Sequence, residues 1–241
     1  MSHPPSILGP ETPRNNEGPL SLRAIFASCA DFGPASARIE ALNPTQMTVG
    51  FREVAEKRKR WRAGTTAMQP PALPRRTVPV VIGPSAKLYA LDRHHWICAF
   101  AAEGVRDVSV LALEDLAHLE EVNFWTILES RGWCHPYDAL GRRRAWAEMP
   151  TSMAQLMDDP FRSLASALRR AGGFAKHPAP FSEFAWATHL RRHIPLSLVE
   201  HDFDAALGEA LRLTSDHSAV APRPFQAASH MARTMSPEME I

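Results

Sequence analysis

Cysteine is scarce in this 241-residue chain: only Cys29, Cys98 and Cys134, too few and too widely spaced for a disulfide framework. Net charge is nearly absent too, because 27 Lys and Arg are balanced by 26 Asp and Glu to leave +1. That balance gives no global drive toward nucleic acid or a membrane surface. No apolar run approaches the roughly 20 residues of a membrane-spanning helix. Met1-Ser2-His3-Pro4-Pro5 shows neither the basic start nor the apolar core of a signal peptide. Also missing are a Walker loop, a kinase signature and any internal repeat of useful period. What remains is an expectation of a cytoplasmic globular protein, 45% hydrophobic and 22% charged, large enough to bury a real core.

Its 21 prolines gather at ends and joints. Residues 1–20 read as a mobile arm and residues 218–241 as a tail, either strapped to the surface or disordered. Between them, residues 21–132 alternate strand and helix patterns, whereas 133–217 are dominated by helical ones. The fold class expected is therefore α+β, with a mixed first half and an all-helical second half.

Asn43-Pro44-Thr45 precedes a helical pattern from Gln46 to Arg62, with Met47, Phe51, Val54 and Trp61 on one stripe and Thr45 as its cap. Val78–Ile82 and Lys87–Leu91, joined by Gly83-Pro84-Ser85-Ala86, read as a hairpin. A third strand is expected at Val108–Leu113 and helices at His118–Ser130, Pro160–Arg170, Phe181–His193 and Phe203–Leu213. Asp158 or Asp159 would cap the helix that opens with Pro160.

Chemistry concentrates where the hairpin's second strand hands over to a helix, at Asp92-Arg93-His94-His95. Asp92 suits a helix N-cap, so free N–H groups and the positive end of the helix dipole would converge there. A histidine can move a proton near neutral pH or donate to an oxyanion. Adjacent helical residues point about 100° apart, so one ring at most faces a given cleft. The catalytic set read here is His94, His95 and Asp92, with the imidazoles looking into an open hollow and Asp92 either orienting a ring or only capping. Glu53 joins it as a candidate general base across the cleft, or else is a solvated partner of Lys57 at i+4.

Around that loop, Gln46, Arg52, Arg93, Tyr137 and Lys176 are the candidate substrate-binding residues. Arg52, Lys57, Arg58, Lys59, Arg60, Arg62, Arg75 and Arg76 form a basic district, suited to phosphates of a nucleotide or nucleic acid, or else a solvated helix face. Tyr137, Asp138 and Arg142–Arg144 form either a substrate wall or an ion-paired tie. Lys176 is an anion contact or a plain surface lysine. His189 and His193 share a helix face, but no third ligand accompanies them, and no metal ligand set is assigned. Cys98 reads as a packed thiol. The partner expected is an anionic small molecule or nucleotide, with nucleic acid as the lesser reading; a nucleotide or a divalent metal arriving with substrate is the cofactor class left open.

The string Val80-Val81-Ile82-Gly83-Pro84…Leu91-Asp92-Arg93-His94-His95 resembles the strand-turn-strand and Asp-x-His-His loop of the ParB-like nuclease family. Asn43–Val54, Gly132-Trp133…Pro136-Tyr137-Asp138, Asp158–Leu164 and Gly172–Lys176 carry the same resemblance, over roughly residues 40–212. It implies the ParB/sulfiredoxin fold and a hydrolase or phosphotransferase. Free-serine kinases of the wider fold have Asp-Gly-His-His-Arg at this place; here Arg93 and Trp96 stand where they have Gly and Arg. The Arg-rich cytidine-nucleotide loop of ParB clamps is absent, and so is the loop cysteine of sulfiredoxins. A non-catalytic DNA-binding or regulatory module is the second class of function that the resemblance allows.

Overall fold

The structure is a computed structural model and describes residues 35–64, 77–176 and 181–215. The arm 1–20, Arg75, Arg76 and the tail 218–241 lie outside the described residues. In chain order the elements are β1 (Ala35–Arg38), β2 (Leu42–Pro44), β3 (Thr48–Val49), α1 (Phe51–Arg62), β4 (Val78–Ile82), β5 (Leu88–Ala90), α2 (His94–Ala102), β6 (Asp107–Asp115) and α3 (Glu121–Ser130). Then come β7 (Met157–Asp158), α4 (Pro160–Arg170), α5 (Ser182–His193), α6 (Leu196–His201) and α7 (Phe203–Ser215). The class is α+β, as expected.

Five strands form a mixed sheet in the order β1-β6-β4-β5-β2. The expected hairpin is present as antiparallel β4 and β5, with Val80 opposite Ala90 and Ile82 opposite Leu88. β4 also pairs parallel with β6, which places it at the centre of the sheet. Its β-branched run is buried on both faces. Val81 packs with Tyr89, Leu113, Phe124 and Leu128 on the face covered by α3. Val80 packs with Leu42, Ala90, Ile97 and Val110 on the opposite face, covered by α2. The alternation of neighbouring valines between two cores is the period-two signature of a strand.

A third core joins the later helices: Phe161, Leu164 and Leu168 of α4 meet Ala187 and Leu190 of α5, Val199 of α6, and Ala206 and Ala210 of α7. The small residues let these helices approach closely. Two-stranded β3–β7 pairing ties this helical layer back to the sheet, with Thr48 opposite Met157 and Val49 opposite Asp158. Among the described residues, no helix is long and apolar enough to cross a membrane.

Several local expectations need correction. Residues 46–50 are not helical; Gly50 precedes α1, and Thr45 caps nothing. Thr45 instead donates its hydroxyl to Ala90 O at 2.8 Å. Phe51, placed on the apolar stripe, is exposed, as is Val122 of α3. Asp92 does not cap α2; its carboxylate accepts from Arg93 N at 2.6 Å. The capping position is Arg93, in the left-handed region at φ +70°. A non-glycine side chain there costs on the order of 1 kcal/mol, so the surrounding contacts must hold the turn.

A buried cluster joins the histidine loop to two helices

The turn at Arg93 sends the two histidines into different surroundings, as their angular separation requires. His94 is 2% exposed and lies against the β2 end of the sheet. Its Nε2 accepts from Thr45 N at 3.2 Å, and the ring also bonds to the Ala90 backbone. Burial drives its pKa down to about 3. His95 faces α1 instead, and its Nε2 accepts from Gly50 N at 3.0 Å. Burial, reinforced by the Arg162 guanidinium, keeps it well below its ordinary value, against the pull of Glu53. Neither ring opens on a solvent-filled hollow: both are buried, neutral at pH 7, and use a lone pair to hold backbone N–H groups. That corrects the expectation of an open imidazole cleft.

Gly50 also lets the start of α1 lie close against α4. A methyl group added at Gly50 would lie 2.8 Å from Ser163 N and against Ser163 Oγ. Gly50→Ala is therefore expected to cost about 1–3 kcal/mol by overpacking α1 against α4. Chemical denaturation checks this; a midpoint equal to wild type would show that the two segments part freely.

The candidate base Glu53 does meet an imidazole. Its Oε2 is 3.4 Å from His95 Nε2 and 3.0 Å from Arg162 Nη1, while Oε1 accepts from Lys57 Nζ at 2.6 Å. Glu53 and Arg162 are 7% and 8% exposed, so this is an interior ion cluster rather than the solvated i,i+4 pair alone. Burial opposes ionisation of Glu53, but the Arg162 guanidinium and the Lys57 ammonium outweigh it and hold the carboxyl far below the usual carboxylate range.

Arg162 sits in the first turn of α4, whose N-cap is Asp159 rather than Asp158. The Asp159 carboxylate accepts from Phe161 N at 3.0 Å and Arg162 N at 3.2 Å. Its other oxygen accepts from Arg191 Nη2 of α5 at 2.7 Å. Burial pushes Asp159 up, while Arg191 pulls it back. His135 joins from the loop after α3, where its N–H donates to Thr45 O at 2.7 Å. Its ring lies among Tyr137, Phe181 and Phe184, and burial drives it down to about 3. The cluster thus brings together five segments far apart in the chain, with Arg162, Arg191, Asp159 and His135 as members that sequence reasoning did not select as site residues. The local signal was the Asp-Pro-x-Arg start of α4.

The rest of the expected substrate set disperses. Gln46 is buried and donates to Thr48 O at 2.6 Å. Arg93 stays beside the loop, with its Nε buried and without a partner. Asp92 is exposed at its outer edge. Arg52 stacks on the Phe203 ring at 4.2 Å. Tyr137 is half-buried against His135. Lys176 is exposed beyond the C-terminus of α4, which carries Arg162 in its first turn. Among the described residues, no group of three or more His, Cys, Asp or Glu is placed to hold a metal ion. Cys98 and Cys134 are free thiols, and burial pushes each up to about 12.

The basic face of α1 is partly paired. Glu103, at the end of α2, receives both Arg58 and Arg62 at 2.7 Å. Lys57 is turned toward Glu53. The part of the district that the structure describes therefore presents fewer unpaired cations to a phosphate backbone than its sequence suggests.

Three comparisons with known proteins bear on this arrangement. A family profile described as "Putative ParB-like nuclease" matches residues 35–192. The crystal structure of protein Atu1540 from Agrobacterium tumefaciens is 43% identical, with a TM-score of 0.74 over 79% of this chain and 94% of that one. The C-terminally truncated chromosome-partitioning protein ParB from Caulobacter crescentus, complexed with CTP-gamma-S, is 15% identical with a TM-score of 0.28, over 78% of this chain and 96% of its own. At that level of likeness the second match defines neither fold nor ligand here. No curated protein matches the sequence significantly.

Proposed function

The chain belongs to the ParB-like family, and on that premise we propose that it is an enzyme of hydrolase or phosphotransferase type, acting on an anionic small molecule or nucleotide through the Glu53–His95–Arg162 cluster. One observation carries the reading. A carboxylate held ionised lies 3.4 Å from an imidazole held neutral, with a guanidinium 3.0 Å away on the same oxygen. Such a set puts a proton acceptor, weakened as a base by the cations that keep it ionised, beside positive charge ready to offset an oxyanion.

In this reading Glu53 accepts the proton of the attacking water or hydroxyl. Arg162 and Lys57 keep it ionised and oppose the charge developing on the substrate. His95 is the second proton-handling group, and Arg93, at the loop's turn, is an anion contact. His94 positions the Thr45 strand end, and Asp92 orders the turn. Gln46, Arg52, Tyr137 and Lys176 remain proposed substrate contacts, reached only if α1 and α4 part. A divalent metal or nucleotide would arrive with the substrate. Free, unreactive thiols at Cys98 and Cys134 are in keeping with a cytoplasmic setting.

A second reading is favoured by a specific observation: both histidine lone pairs are occupied by backbone N–H groups in a water-poor interior. On that reading the cluster only locks α1 to α4 within a non-catalytic regulatory module. One assay separates the two. Wild type is tested on bis-p-nitrophenyl phosphate, nucleoside triphosphates and short oligonucleotides, with and without Mg²⁺, beside Glu53→Gln. The amide keeps an acceptor for only one of Arg162 and Lys57 and removes the base, so kcat is expected to fall about 100-fold. Turnover of none of these substrates by wild type would retire the enzyme and leave the module.

A further inference from the structure

The start of α4 and the turn between α5 and α6 share, with the 139–140 turn, an open concavity of about 420 Å³. Its apolar wall includes Leu140, Phe161 and Leu196, and its polar groups are Asp158, Arg191 and Glu200. Soluble proteins rarely gather large exposed apolar side chains without a use for them. Five remain exposed among the described residues: Phe51, Val122, Leu140, Met157 and Leu196. Two of these line the concavity. Two more adjoin Asp158, Met157 by chain and Phe51 through its N–H, which donates to the Asp158 carboxylate at 2.6 Å.

Charge selects the occupant. Arg191 is the cation in the wall, but its Nη2 is committed to buried Asp159 at 2.7 Å and its guanidinium lies over the Phe161 ring at 5.1 Å. Arg52 lies over the Phe203 ring and offsets part of the Asp158 charge, which leaves Glu200 as the uncompensated carboxylate. Glu200 has no ion-pair partner among the described residues and adds its negative charge to that of Asp158. An anion entering here would meet two carboxylates and one compensated guanidinium; a cation would meet a net attraction.

We propose that this concavity binds a small organic cation, an ammonium or guanidinium group set against Glu200 and Asp158 with a hydrocarbon body laid on Leu140, Phe161 and Leu196. The volume is in the range of small-molecule sites, and the mix of apolar wall with a few convergent polar groups is their usual make-up. The site is separate from the phosphate chemistry above and stands or falls without it. It is nevertheless adjacent: Arg191 touches Asp159, which caps the helix carrying Arg162.

Calorimetric titration of the full chain with n-hexylammonium, hexanoate and hexanol, three ligands of equal hydrocarbon and different charge, tests this. Hexylammonium is expected to bind on the order of 1 mM or tighter and hexanoate at least tenfold more weakly, with hexanol between them. Glu200→Gln should weaken hexylammonium about 3- to 5-fold and leave hexanol unchanged, since an exposed ion pair is worth at most about that. Leu196→Ser should weaken both hexylammonium and hexanol about tenfold by removing apolar contact area. Both positions are on the surface, so the variants keep the fold. Hexanoate binding as tightly as hexylammonium, equal binding of all three, no binding by any, or indifference to Glu200→Gln would each overturn the assignment.

Discussion

Acidification from pH 7 to pH 5 is expected to remove about 4 kcal/mol of folding stability through His94 and His135 alone. Each ring titrates near 3 in the folded chain because burial disfavours the imidazolium. In the unfolded chain it titrates near its ordinary 6.5. Between those values the unfolded state takes up a proton that the folded state refuses. The stabilisation is therefore complete above 6.5 and is lost progressively as pH falls toward 3, at roughly 2 kcal/mol for each ring over the first two units below neutrality. His95 works in the same direction. Glu53, held low, contributes in the same sense but only below about pH 4.5, where the unfolded carboxylate protonates. Asp159 is raised by burial and so opposes the trend, losing an unfavourable charge as acid is added. Its window opens upward from the ordinary aspartate value of 3.8, inside that of the histidines. Domains of this size have only about 5–15 kcal/mol to lose, so pH 5 should bring the chain close to unfolding. Urea titrations at pH 7, 6 and 5 measure this directly. A midpoint that stays put across the series would mean that the rings accept protons in the native state, and that the interior described here is wet.

The same contrast between what is local and what is distant decides how much of this molecule could be read from sequence. α4 was legible because Asp159, Pro160 and the apolar positions Phe161, Leu164 and Leu168 agree on one start and one face. The β4–β5 hairpin and β6 were legible because strand composition and turn chemistry sit side by side. Residues 46–50 misled, since Met47, Phe51 and Val54 mimic helical spacing. What overrides that pattern is pairing of Thr48–Val49 with Met157–Asp158, a partner no local pattern can show. The basic face of α1 reads as opposed by Glu53 and Glu56 alone for the same reason, because Glu103 reaches it from another helix. Glu53 and His95 were both picked out as candidates, and the fold brings them together. Arg162 was not, because an arginine on a helix reads as solvated until its buried partner, 109 residues away, is known. The open cleft expected at Asp92–His95 failed on a single term: a neutral imidazole is as good an acceptor for a stranded backbone N–H as it is a proton carrier, and here the backbone took it.

Arg162→Met should be the most damaging single change in the cluster. Methionine replaces the hydrocarbon of the arginine, so packing against Phe184, over which the guanidinium lies at 5.2 Å, is largely kept. What disappears is the charge that faces Glu53 Oε2 at 3.0 Å. Glu53, 7% exposed, would then be compensated by Lys57 alone, and breaking one side of a buried ion pair typically costs about 3–5 kcal/mol. Combining Arg162→Met with Glu53→Gln removes the stranded charge as well. The pair is expected to be less destabilised than Arg162→Met alone, with a coupling of about 1–3 kcal/mol. His95 supplies a readout that packing damage would not give. Without Arg162, the largest positive influence on the ring is gone while Glu53 remains 3.4 Å away, so its imidazole should protonate at a higher pH, visible in the ring proton shifts. A loss of under about 0.5 kcal/mol for Arg162→Met, the range of surface substitutions, together with an unmoved His95 titration, would show that the guanidinium and carboxylate are each solvated on their own. In that event neither the lock between α1 and α4 nor a charge-assisted proton transfer at Glu53 could be built on this contact.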